Sequence, residues 1–296
     1  MAATPRILIT GKNGQLGFAL AARFAANAEV MSFDRDALNL ADSDALRRCC
    51  REVKPKLILN AGAYTAVDRA EQEPELAMQI NGVAPRILSE EANRLDATII
   101  HYSTDYVFSG NANAAYFEDD ATAPQNVYGH TKLAGEVAVR DVADRHLIFR
   151  TSWLYAARRQ NFLLTMLRLA REREELRIVA DQIGSPTWVE TLADFTGEVV
   201  DAQGHLTIAD GIYHLSANGQ TSWHGFAEAI FAAIPDERRR VKTVTPIATA
   251  AFPTPAKRPA FSVLSNKKIE SATNRLVPDW QTQLAACVAA SNFDKL

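Results

Sequence analysis

A glycine-rich turn near the N-terminus constrains this chain more than any other feature. Gly11-Lys-Asn-Gly14-Gln-Leu-Gly17 follows a buried, β-rich run, Arg6 to Thr10. It opens an Ala-rich helical period from Leu16 to Asn27, with Leu16, Leu20 and Phe24 four apart. Glycines allow a tight turn and a close approach to a pyrophosphate, while the helix start offers free N–H groups and a partial positive charge. A second strand, Glu29 to Phe33, ends at Asp34, which stands 23 residues beyond Gly11. A carboxylate about 20 residues on is where an adenosine ribose is bound. A glycine pattern alone is weak evidence, but strand, turn, helix and acid in this order favour dinucleotide binding. Asp34 suits the free 2′-hydroxyl of NADH, whereas Arg35 beside it suits the 2′-phosphate of NADPH. Both cofactors stay open.

The pattern continues as alternating strands and helices. Helical periods at 43–54, 75–95 and 127–143 alternate with strands at 56–60, 98–104 and 146–150, and Pro55 punctuates the end of the first helix. Such alternation predicts an α/β fold of Rossmann type, a doubly wound parallel sheet covered on both faces. Beyond residue 150 the pattern is less regular. Helical periods at 162–173, 189–203 and 222–234 flank short β-like pieces at 177–180 and 212–215, and the Pro-rich stretch Pro246 to Pro259 reads as a loop. The expected division is residues 1–150 for the nucleotide-binding sheet. Residues 151–296 form a smaller C-terminal α/β region packed at the sheet's carboxyl edge, with some elements returning to the first core.

Composition narrows the function classes. A net charge of −3 gives no basic field for nucleic acid. No run reaches the roughly 20 apolar residues of a membrane span, and the first residues lack the apolar core of a signal peptide. Cys49, Cys50 and Cys287 are an odd set with an adjacent pair that cannot bridge without strain, so reduced thiols and a cytoplasmic location are expected.

Tyr128-Gly-His-Thr-Lys132 sets a phenol and an ammonium four apart at a helix start, hence on one face. Thr104, with Ser103 and Asp105 beside it, falls at the carboxyl end of a strand, where open α/β sheets place ligands. A hydroxyl there can polarise a carbonyl beside Tyr128. The Tyr/Lys spacing is common by chance and gains its weight from the glycine turn and the threonine.

With these residues in place the chain resembles the extended short-chain dehydrogenase/reductases, and more narrowly the dTDP-4-dehydrorhamnose reductases. The matching blocks are 11–17, Asn60-Ala-Gly-Ala-Tyr-Thr-Ala-Val-Asp68, His101-Tyr-Ser-Thr-Asp-Tyr-Val-Phe108 and Asn126-Val-Tyr-Gly-His-Thr-Lys-Leu-Ala-Gly-Glu136. Phe149-Arg-Thr-Ser-Trp-Leu-Tyr155, Asn161-Phe162, Asp181-Gln-Ile-Gly-Ser-Pro-Thr187, Gly211-Ile-Tyr-His214 and Arg258-Pro259 extend the likeness over nearly the whole chain. The resemblance implies that Tyr128 donates the proton, that Lys132 binds the nicotinamide ribose and lowers the tyrosine pKa, and that Thr104 polarises the substrate. It also implies that Gly11, Gly14, Gln15, Leu16 and Gly17 approach the pyrophosphate, with Asp34 and Arg35 at the adenosine ribose. Asn39 and Leu40 would meet the adenine end, and Ala63, Tyr64, Thr65 and Tyr102 would line the cofactor path. Thr104, Asp105 and Trp153 would hold the nucleotide-sugar. The implied reaction is hydride transfer from NADPH, with NADH as a second candidate, to dTDP-4-dehydro-6-deoxy-L-mannose, giving dTDP-L-rhamnose for surface polysaccharide. Two alternatives accompany it: a non-catalytic NADP-binding regulatory subunit, and a reductase of another 4-keto nucleotide-sugar.

Absences discriminate among the relatives. Dehydratases of this superfamily follow the active-site threonine with Asp-Glu, whereas Thr104 is followed by Asp105 and Tyr106. Relatives that epimerise carry an active-site cysteine and histidine, and here the cysteines lie outside the matched blocks. Ser109 departs from the acidic or proline residue common after the Tyr-Val-Phe segment. Some members bridge a dimer with Mg²⁺ through three glutamates. Glu190 matches one, Ala19 occupies another, and Asn292 stands near the third. One carboxylate is a poor start for a hard cation, so no metal is expected, while a homodimer through other contacts stays open. The six histidines lack zinc spacing. Glu118-Asp-Asp120, Arg171-Glu-Arg-Glu-Glu175 and Arg238-Arg-Arg240 read as solvated charge, and Trp188, Trp223 and Trp280 as packing residues.

Overall fold

The chain was analysed as a computed structural model that describes residues 4–235 and 239–291. Arg238 and Asn292 lie outside the described residues. In the first half, β1 (Arg6–Thr10), α1 (Gln15–Phe24), β2 (Glu29–Phe33), α2 (Ser43–Val53) and β3 (Leu57–Asn60) follow one another. Then come α3 (Val67–Ala70), α4 (Pro74–Met78), a π-helical turn (Gln79–Val83), α5 (Ala84–Arg94), β4 (Thr98–Thr104), α6 (Val127–Val142) and β5 (His146–Thr151). The later part adds β6 (Leu154–Tyr155), α7 (Phe162–Glu172), β7 (Glu175–Val179), β8 (Ile183–Gly184), β9 (Thr187–Trp188) and α8 (Val189–Glu198). It ends with β10 (Gly211–His214), β11 (Thr221–Ser222), α9 (Trp223–Ala232), β12 (Thr243–Ile247), α10 (Lys267–Thr273) and α11 (Trp280–Ala290).

Six strands form one parallel sheet in the order β10-β5-β4-β3-β1-β2. Both faces are apolar because alternate residues of each strand point to opposite sides and both sides are covered by helices. Ile7, Ile9, Leu57, Leu59, Ile100 and Phe149 pack with α1 and α8, while Leu8, Ile58, Ile99 and Ile148 pack with α2, α5 and α6. The sheet is the α/β, Rossmann-type assembly the alternation predicts. Two segments from beyond residue 150 return to it: β10 pairs with β5, and α8 covers the face that α1 covers. Ile269 of α10 also joins that first core, while other C-terminal elements build a separate core from Tyr155, Leu163, Leu167, Phe226, Ile230, Trp280 and Leu284. Trp188 packs between the two cores and Trp280 is buried.

Three differences from the sequence expectation have local causes. The helix expected over 189–203 stops at Glu198. Asp201 Oδ1 accepts from the N–H groups of Gln203 and His205 at 2.8 and 2.9 Å, and so holds a turn there. The Pro-rich stretch is not all loop, since Thr243–Ile247 pairs with β7. A two-stranded sheet has only edge strands, which tolerate Pro246. The period over 75–95 is interrupted by the π-turn, which carries Asn81.

The three thiols are free, and Cys50 and Cys287 are buried. Burial pushes Cys50 up to about 12 and Cys49 and Cys287 up to about 11, so none is poised as a thiolate. Among the described residues, no helix is long and apolar enough to cross a membrane.

Candidate active site

The chain reverses direction across the sheet between β1 and β3, so their carboxyl ends open a crevice. Gly11 takes a φ of +75° in that crevice, and a Cβ there would stand 2.8 Å from Gly62 Cα on the loop after β3. Both the backbone hand and the close approach demand glycine. Gly14 is the extended residue preceding α1 and caps it with no side chain. The start of α1, at Gln15 and Leu16, therefore presents its dipole and amide groups to the crevice. This cradle fits the pyrophosphate of a dinucleotide. We expect Gly11→Ala to lower thermal stability by about 1–2 kcal/mol from backbone strain alone and to weaken dinucleotide binding, as checked by thermal denaturation and by fluorescence titration.

The expected ribose and adenine residues gather beyond the same crevice. Asp34 accepts from Asn13 Nδ2 at 2.8 Å and from the Ala37 N–H at 3.0 Å. These donors, led by Ala37, hold its carboxyl below the usual range. Arg35 is exposed, and its charge acts on Tyr64 and Glu73. Asn39 is exposed, and Leu40 packs against Gly62. On the facing loop, Ala63 is half-buried and Thr65 exposed, while the Tyr64 hydroxyl donates to Glu73 at 2.6 Å. Asn81 clamps the Tyr64 backbone, accepting from its N–H at 2.8 Å and donating to its carbonyl at 3.1 Å. A π-turn presents this side chain, which a continuous helical period over 75–95 does not predict.

Tyr102 follows His101 on β4 and so points to the opposite face of the sheet. Its ring lies in the core against Phe149, and its hydroxyl pairs with Thr196 at 3.0 Å. Position 102 points to the face of the sheet that α1 and α8 cover, and its carbonyl accepts from Lys132 Nζ at 2.6 Å.

Tyr128, Lys132 and Thr104 are brought together. Asn126 caps α6 by accepting from the Gly129 N–H at 2.8 Å, which sets Tyr128 in the first turn. A Cβ at Gly129 would stand 2.3 Å from the Tyr106 carbonyl, so glycine lets the helix start close over the loop after β4. Burial pushes the Tyr128 phenol up to about 12, opposed by the Thr104 hydroxyl, which hydrogen-bonds to it, and reinforced by Asp105. Lys132 Nζ is turned to the Tyr102 carbonyl and to His101. Burial lowers Lys132 itself to about 8, with Glu136 opposing.

Thr104 donates to Asp105 Oδ1 at 2.9 Å and accepts from the Tyr106 N–H at 3.2 Å. Burial raises Asp105 from 3.8 to about 6, with the Ser262 and Thr104 hydroxyls opposing. A carboxyl raised on folding stabilises the fold fully below 3.8, and that help is lost as pH rises through about 6. Urea midpoints of the wild type are therefore expected to fall relative to Asp105→Asn across that window. A constant difference would contradict the raised carboxyl.

Thr104 sits opposite Thr151 in register, so Trp153, two residues past β5, falls at the same carboxyl end of the sheet. Trp153 takes a φ of +47°, and its ring stacks on Trp223 at 3.5 Å between centroids. Trp223 was expected only to pack, yet it is half-buried and meets the one tryptophan assigned to the cleft. Its helix start is 70 positions away in sequence, and no spacing signal joins the two. Arg258, on the strap that follows β12, holds Asp68 through Nη2 at 2.7 Å, and its buried Nη1 has no hydrogen-bond partner.

Comparison with known proteins decides the family. The family described as RmlD substrate binding domain matches residues 5–293. The chain is 45% identical over 293 residues to a dTDP-4-dehydrorhamnose reductase of Burkholderia thailandensis, covering 96% of this chain and 98% of the relative. The chain belongs to the dTDP-4-dehydrorhamnose reductase family. An Escherichia coli K12 reductase of the same name is 43% identical over 284 residues, covering 93% of this chain and 94% of that one. The crystal structure of the Bacillus anthracis reductase in complex with NADP superposes with a TM-score of 0.91 at 35% identity, covering 98% of this chain and all of that one. Membership makes the chain an NAD(P)H-dependent oxidoreductase. Glu190, the one carboxylate matching the family's magnesium set, is half-buried and faces Asp194 and Arg158.

Proposed function

We propose that this chain reduces C4 of dTDP-4-dehydro-6-deoxy-L-mannose to give dTDP-L-rhamnose, the last step in making that sugar donor for surface polysaccharide. The observation that carries the reading is the meeting of the Tyr128 and Thr104 hydroxyls at the carboxyl edge of the sheet, beside the glycine cradle. When bound, the nicotinamide cofactor supplies the hydride.

Each residue then has a physical task. A phenol at about 12 keeps its proton at neutral pH, so Tyr128 is charged with the proton that the developing alkoxide needs. Thr104 can turn its O–H from Asp105 to the same oxygen. Lys132, one turn along α6, is the cation available to the tyrosinate and to the cofactor ribose. Gly11, Gly14, Gln15, Leu16 and Gly17 receive the pyrophosphate, and Asp34 and Arg35 the adenosine ribose, where Arg35 favours NADPH. Trp153 and Trp223 offer a flat apolar wall to the sugar. The free Nη1 of Arg258 is a donor suited to an anionic nucleotide-sugar. A chain of net charge −3 must bind two anions through such local donors rather than through its overall field.

The direct test is to mix the protein with NADPH and the epimerised dTDP-4-keto sugar and follow nicotinamide absorbance. Stoichiometric oxidation is expected, faster than with NADH in parallel. Oxidation only with a different 4-keto nucleotide-sugar would reassign the substrate.

A further inference from the structure

The buried end of Lys132 meets a chain of polar groups that the tasks above leave unused. The Gly62 N–H donates to Thr10 Oγ1 at 2.9 Å, and Thr10 Oγ1 lies 2.8 Å from Asn60 Oδ1. Asn60 Nδ2 lies 3.0 Å from His101 Nδ1, and His101 Nε2 lies 3.3 Å from Lys132 Nζ. Thr10, Asn60, His101 and Lys132 are each 1% exposed, so water cannot substitute for a missing partner. The register explains the line-up, since Thr10, Asn60 and His101 sit directly opposite one another on β1, β3 and β4.

The two charge states of Lys132 need different imidazole tautomers. An ammonium has donors only, so Nε2 must be bare and the ring proton must sit on Nδ1. A neutral amine has a lone pair and can accept from an Nε2–H. Asn60 can serve both cases, because its amide presents a donor or, turned over, an acceptor to Nδ1. Thr10 adapts in the same way by donating to, or accepting from, whichever amide end faces it.

We propose that His101 is a positioning residue for Lys132, switching tautomer with the Asn60 amide so that Nζ stays held at the Tyr102 carbonyl in both charge states. Burial and the Lys132 charge keep the imidazole well below its ordinary range, so it acts as a neutral partner. Burial places Lys132 at about 8, within reach of both states. The other charged group acting on this corner is Glu136 of α6, itself paired with Arg150 of β5 and Ser103 of β4. Tyr128 stands one turn back on α6, with Asp105 beyond β4, and β1 and β3 present the uncharged Thr10 and Asn60. The arrangement links the lysine to the loop at Gly62, which lines the cofactor crevice.

The primary test is ¹⁵N NMR of the His101 ring in the full chain. A neutral ring is expected from about pH 6 to about pH 10, with the proton moving from Nδ1 to Nε2 as Lys132 titrates. An imidazolium in that range, or one tautomer throughout, would overturn the proposal. This readout needs no turnover, so it can fail while the proposed reaction stands. The kinetic arm rests on that reaction. His101→Phe removes a partner of both charge states, and because the charge-assisted bond to the ammonium is the stronger of the two, the alkaline limb of kcat/KM is expected to move down by about one pH unit. His101→Gln, whose amide can face Nζ either way, restores it. Equal loss in both variants with an unmoved limb would show a purely structural role and overturn the proposal.

Discussion

Tyr128→Phe is expected to lower kcat by about 10²–10⁴-fold while leaving dinucleotide affinity and thermal stability near wild type. The substitution removes one buried hydroxyl and keeps the ring that packs edge-on against Tyr106 at 5.6 Å. The capped first turn of α6 and the Gly129 contact are untouched, so the site keeps its shape and loses only its acid. Because the phenol is pushed up to about 12, the wild type carries the proton across the neutral range. Stopped-flow reduction with the dTDP-4-keto sugar and NADPH gives the rate, and a parallel cofactor titration shows that binding survives. Full turnover in this variant would remove Tyr128 from the mechanism and move the proton source to another group.

The second large effect falls on stability. Arg150→Met is expected to cost about 3–5 kcal/mol, because it strands a buried carboxylate. Arg150 Nη2 lies 2.7 Å from Glu136 Oε2, and the two side chains are 3% and 2% exposed. Ser103 donates to the same carboxylate, Arg150 Nη1 donates to the Glu118 carbonyl at 3.2 Å, and the guanidinium lies over the Phe108 ring. Removing the guanidinium leaves Glu136 with one hydroxyl and only the Lys132 charge, which makes no hydrogen bond to it. Replacing both partners, as in Arg150→Met with Glu136→Leu, should recover part of the loss, because the cost lies in the unpaired charge rather than in the absent bridge. Urea denaturation of the wild type and the two variants checks the ordering. If the single variant unfolded at the wild-type midpoint, the carboxylate would have to be relieved by water or protonation.

Much of the site was legible because its residues follow local rules. A βα turn announces itself through glycines at a strand end, and a Tyr/Lys pair four apart shares one helix face wherever the helix goes. Thr104 and Trp153 could be placed because both follow buried strands, and parallel strands align their carboxyl ends. What escaped were contacts between segments distant in sequence. Trp223 meets Trp153 because β11, which leads into α9, pairs with β8, and Gly184 of β8 lies against the Trp153 ring. Asn81 reaches Tyr64 because a π-turn rotates it away from the helical stripe. His101 faces Lys132 because β4 and α6 are neighbours, and Tyr102 faces away because side chains alternate along a strand. The alternation was available in the sequence, but which face held the crevice was not.

The sequence by itself determined the layered α/β fold and the glycine cradle, which rest on periodicities and spacings within single elements, and the family, which rests on the resemblance of its motif blocks. Only the tertiary structure decided the charge setting of the site. Burial raises Tyr128 and Asp105 and lowers Lys132. Desolvation depends on what is packed around a group from every side, and nothing in a one-dimensional pattern specifies that.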